Sequence, residues 1–170
     1  MGVNLPLDAQ RYVDAAEGWL GLGDHVSANE ELEQIPAELR AHPKVLLIRC
    51  SIYEKVKRWD ACVDLAEAIV TKAPEIPDGW IRRSFALHEL KRTQEALDKL
   101  LPAVEKFPEV WTIPYNLACY TCQLGRCDEA ESWFKRAMEI DAETVKREAI
   151  DDPDLDPLWK SKENTFWKRT

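Results

Sequence analysis

The feature that most constrains this chain is a repeat. Laid against itself at an offset of 34 residues, the sequence aligns Ala28, Cys62, Ala96 and Ala130 without a gap, all of them small. Twelve residues earlier stand Ala16, Cys50, Ser84 and Ala118, again all small, and seven residues later Ile35, Ile69, Ala103 and Ala137. Three columns in one register predict a helical hairpin repeated along the chain, its two helices meeting where only a small side chain fits. Large residues flank the columns at helical spacing: Trp19, Tyr53 and Leu87, then Leu22, Val56, Leu90 and Leu124. Gly23, Lys57, Lys91 and Gly125 follow in a single column, which marks the turn between the two helices of each unit. Pro74 and Pro108 close the second and third units, where a missing N–H is tolerated. Helices are therefore expected at about 8–21, 26–34, 44–57, 59–72, 78–91, 93–106, 111–124 and 127–140.

The fourth unit carries the most specific pattern: Tyr115-Asn116-Leu117-Ala118, Leu124-Gly125, Asp128-Glu129-Ala130, then Phe134 and Ala137. Trp80 with Gln94-Glu95-Ala96 and Trp59-Asp60-Ala61-Cys62 repeat parts of it, while in the first unit Pro36 interrupts the second helix. These columns resemble the tetratricopeptide-repeat (TPR) family, over residues 8–142. The resemblance implies an all-α fold, a right-handed superhelix of four helix hairpins, in one domain over 1–170. The repeats fall at about 9–42, 43–76, 77–110 and 111–144, with a capping segment over 145–170. The string Ala149 to Trp159 resembles the tail of arrays called the end-of-group type, which implies such a cap. A short helix near 143–150, a turn at Asp152-Pro153 and a second short helix from Asp156 would place Leu155, Leu158 and Trp159 over the last hairpin.

Composition narrows the function. The chain has 45% apolar and 32% charged residues, and no apolar run is long enough to cross a bilayer. With no basic-then-apolar start to direct export, the expected location is the cytoplasm. A net charge of -8 opposes phosphate backbones and anionic lipid, so nucleic acid is not an expected partner. Five cysteines without regular pairing point to a reducing compartment. Cys50 and Cys62 are expected close together, buried and reduced.

Chemical sites are scarce. Cys119 and Cys122 lie one turn apart, and His88 shares the column of Cys122, a set that zinc could use if Cys127 also converged. Cys127 instead opens the following helix, so no metal is expected. Asp152, Asp154 and Asp156 with Glu163 have the spacing of a calcium loop, but Pro157 stands where that loop needs glycine. No phosphate-cradling loop, HExxH or G-x-S-x-G motif occurs, so neither catalysis nor a cofactor is expected. Trp80, Trp111 and Trp133 are expected to pack between helices, with Trp111 near enough to a groove edge to touch a ligand.

In arrays of this family the first helix of each hairpin lines the concave surface. Its inward columns are Val13, Leu47, Ile81 and Tyr115; Glu17, Ser51, Phe85 and Cys119; and, at the end of the face, His88 and Cys122. Asn116 matches one asparagine of the clamp with which TPR co-chaperones grip an acidic C-terminus. Val13, Leu47 and Ile81 replace lysines, however, and Glu17 and Phe85 replace the partner asparagine. The expected function is thus a non-enzymatic adaptor or chaperone-like module that binds an apolar peptide or amphipathic helix, with Ile81, Phe85 and Tyr115 at the centre. A TPR-type bacterial secretion chaperone and a cysteine-based metal sensor are the alternatives.

Overall fold

A computed structural model describes residues 5–161. Among the described residues there is no β-strand, and no helix is long and apolar enough to cross a membrane. The helices are α1 (Leu7–Gly21), α2 (His25–Glu33), α3 (Pro43–Lys55), α4 (Trp59–Lys72), α5 (Pro77–Glu89), α6 (Thr93–Leu100), α7 (Ala103–Lys106), α8 (Thr112–Gln123), α9 (Cys127–Ala149) and α10 (Asp156–Ser161), with 3-10 turns at Ala37–Leu39 and Pro153–Leu155. The chain forms two compact units, Met1–Ala86 and Leu87–Thr170, with the boundary inside α5.

The repeat columns decide the packing. Every member of the three columns is fully buried, Ser84 and both cysteines included. In the first unit α1 packs on α2 and α3 on α4. One core there joins Ala9, Val13 and Ala16 to Leu32, Val45, Ile48 and Ile52, and a smaller one joins Cys50 to Ala66 and Ile69. In the second unit α8 packs along α9, and the 3-10 turn and α10 lie against them.

The turn column is equally regular. Gly23, Lys57, Lys91 and Gly125 all have left-handed backbones, with φ of 84°, 56°, 63° and 77°. In each the amide of the next residue reaches back five places, as Asp24 N–H to Trp19 O at 2.9 Å and Arg126 N–H to Thr121 O at 2.9 Å, closing the carbonyl end of the first helix. Glycine adopts this conformation without a Cβ penalty, whereas the exposed Lys57 and Lys91 carry one. Lys57→Gly and Lys91→Gly are each expected to stabilise the fold by about 0.5–1 kcal/mol, the left-handed penalty of roughly 1–2 kcal/mol less the extra chain entropy that glycine loses. Urea denaturation checks this; unchanged midpoints would show that the lysines are unstrained.

Three local features depart from simple periodicity. The helix expected over 93–106 is split into α6 and α7 because Pro102 has no N–H to donate and its ring crowds the preceding turn. After the short α2, Arg40 takes over part of the capping: its Nε donates to Ile35 O at 2.8 Å and its Nη1 pairs with Glu33 at 2.7 Å. The long α9 is two helices joined at Asp141 (φ -149°, ψ 84°), whose carboxylate accepts from Thr144 N at 3.0 Å. That bond starts the short helix expected near 143–150, and hydrogen bonding from the Thr144 side chain, then from its backbone amide, holds the Asp141 carboxyl below its usual range.

Candidate functional site

The described residues of the C-terminal segment lie on α8, the first helix of the last hairpin. Asp152 begins the 3-10 turn, one carboxylate oxygen accepting from Asp154 N at 2.9 Å. Its other oxygen accepts from Tyr115 Oη at 2.6 Å and from Cys119 Sγ at 3.5 Å. Asp154 receives His88 Nε2 at 3.1 Å, while Gln123 Nε2 donates to the Asp154 carbonyl at 2.9 Å. Leu155 and Leu158 are fully buried, and the half-buried Trp159 sets its ring edge-on to Phe134 at 5.3 Å. Asp156 turns outward to Lys160 at 3.3 Å. Glu163, the last residue of the calcium-like spacing, lies outside the described residues.

The residues expected to line a groove therefore divide. In the second unit His88, Tyr115, Cys119 and Cys122 are buried, the first three in contact with the chain's own tail. Asn116 is half-buried beside an open pocket. In the first unit Val13 lies in the core rather than on an accessible face, because Ala9, Val13 and Ala16 form the stripe of α1 that packs inward. Glu17 is exposed, Leu47, Ser51 and Ile81 are half-buried, and Phe85 is 39% exposed, edge-on to Trp59 at 5.7 Å.

Cys50, Cys62, Cys119 and Cys122 are buried in the described structure. Cys50 and Cys62 are free thiols, each donating toward the other's carbonyl, at 4.0 and 3.7 Å. Burial pushes Cys50 up to about 12 and Cys62 up to about 11, so neither is a thiolate at neutral pH. Burial likewise raises Cys122 to about 11 and holds Cys119 well above the ordinary thiol range, with Asp152 adding to the latter. His88 bonds to Thr93 Oγ1 at 3.0 Å and stacks on Tyr120, centroids 5.0 Å apart. Among the described residues no three His, Cys, Asp or Glu side chains converge as a metal site.

Periodicity did not reveal the pairing of Asp152 with α8. Tyr115 and Cys119 need an acceptor once buried, and Asp152 supplies it; burial, then that hydrogen bond, drives the Tyr115 hydroxyl upward. The available signal was the clustering of polar groups on one face of α8 together with acids alternating in the tail.

No protein-family model matches the chain, and no curated protein matches it. Solved structures do. PilF of Pseudomonas aeruginosa superimposes with a TM-score of 0.74 at 18% identity, over 91% of this chain and 69% of that one. TTC0263, a thermophilic TPR protein of Thermus thermophilus, gives 0.70 at 18% identity over 95% of each chain. MamA from Desulfovibrio magneticus RS-1 gives 0.69 at 17% identity, over 84% and 78%. The paired helices, the small buried columns and these likenesses together establish that the chain has the tetratricopeptide-repeat fold.

Proposed function

We propose that the protein is an interaction module, adaptor or chaperone-like, that receives an apolar peptide or amphipathic helix on the first-helix columns of its first unit. One observation carries this reading: in the second unit the same columns, Tyr115 and Cys119, already hold a polypeptide segment, the chain's own residues 152–158. The repeat makes Ile81 and Phe85 the equivalents of Tyr115 and Cys119, and Leu47 and Ser51 those of Ile81 and Phe85. These four remain partly or largely accessible. Ile81 and Phe85 are one turn apart on α5 and share a face, which suits an apolar anchor from a partner.

Phe85→Glu tests it. Phe85 is exposed and contributes mainly an edge contact to Trp59, so the substitution is expected to cost less than about 2 kcal/mol of stability. The partner isolated with the wild-type chain from its own cell, identified by mass spectrometry and purified, should bind the variant at least roughly tenfold more weakly. An unfolded variant would make Phe85 a core residue and end the proposal, as would unchanged affinity.

A further inference from the structure

A second feature lies wholly within the second unit, where the start of α8 faces the end of α9 across an open pocket of about 320 Å³. That volume is at the small end of ligand sites, suited to one side chain rather than a length of peptide. Its walls combine two kinds of group. Trp111 and Tyr115 meet edge to face, centroids 5.7 Å apart at 78°. Around them stand Asn116, Glu148, Asp151 and Asp152.

We propose that this pocket binds an arginine side chain of a partner protein, its guanidinium against the Trp111 ring and paired with Glu148 and Asp151. The inference rests on the chain being a protein-binding module, and it adds the chemistry of one partner residue. Three charges argue for a cation. Asp152 is engaged at the floor by Tyr115 and Cys119. Among the described residues, Glu148 forms its ion pair with the exposed Arg147, through one oxygen at 3.2 Å. Among the described residues, the side chains of Asp151 and Asn116 make no hydrogen bond or ion pair. The N-terminus of α8 adds about half a positive charge, but the carbonyl end of α9 offsets it with about half a negative one, so the carboxylates set the sign.

Shape selects arginine among cations. A metal ion needs carboxylates converging on one point, and among the described residues no such group of three exists. A planar guanidinium instead spreads its donors over separated acceptors while its face covers an indole. The chain's net charge of -8 also favours approach of a basic segment.

The test uses the full chain and two blocked probes, acetyl-Gly-Arg-Gly-amide and its neutral citrulline isostere, with ¹H–¹⁵N spectra following the Trp111 indole, assigned through Trp111→Leu. The arginine probe is expected to shift that signal and to bind about tenfold more tightly than citrulline. Its binding should weaken at about 1 M salt, where screening acts over about 3 Å. The double variant Glu148→Gln/Asp151→Asn, at two exposed positions, should lose that preference, whereas Glu105→Gln, at an exposed position of α7, should leave it intact. Equal response to both probes, no shift at Trp111, or an unchanged preference in the double variant overturns the inference. Failure here leaves the Phe85 reading to its own experiment, and failure at Phe85 leaves the probe titration standing.

Discussion

Phe134→Ala is expected to destabilise the second unit by about 3–5 kcal/mol, the range for removing a fully buried aromatic ring. Phe134 lies on α9, completely buried, with Tyr115 of α8 at 6.5 Å on one side and Trp159 of α10 at 5.3 Å on the other. It thus joins the last hairpin to the segment that covers it. Removing the ring loses its transfer energy and two aromatic contacts and leaves a cavity in the packing. Urea denaturation of wild type and variant measures the difference. A loss below about 1 kcal/mol, typical of surface positions, would mean that the tail and hairpin do not share a core.

The next largest effect is expected at Leu155. It is the fully buried last residue of the 3-10 turn, so Leu155→Ala should cost about 2–5 kcal/mol, with the spread set by how far the turn can settle. Location gives this substitution a second readout. Cys119 and Cys122 are buried, and Asp152 and Asp154 on the same turn contact α8 and His88. Loosening the turn should therefore speed modification of both thiols by a bulky reagent under native conditions, while Cys50 and Cys62, in the other unit, stay as slow as in wild type. Equal rates in variant and wild type would show that the tail does not seal this face. Leu155 tests the seal better than Trp159, which is only half-buried at the rim of the aromatic cluster.

Whatever repeats every 34 residues is written in the sequence alone. The buried columns at Ala16 and Ala28, the left-handed turn at Gly23 and its lysine equivalents, and the all-helical architecture depend on contacts within one hairpin, so each unit restates them. Pro102 was legible too, but its column reads as helix in the other units, and periodicity outweighed the missing N–H. Tertiary structure alone decided which side of α8 is covered, that Val13 faces the core, and that Trp111, Glu148 and Asp151 enclose one pocket. The Tyr115–Asp152 and His88–Asp154 bonds span 37 and 66 residues and occur once, in a tail that has no counterpart in the repeats. A contact made once, between distant segments, leaves no period in the sequence; only the folded chain brings its partners together.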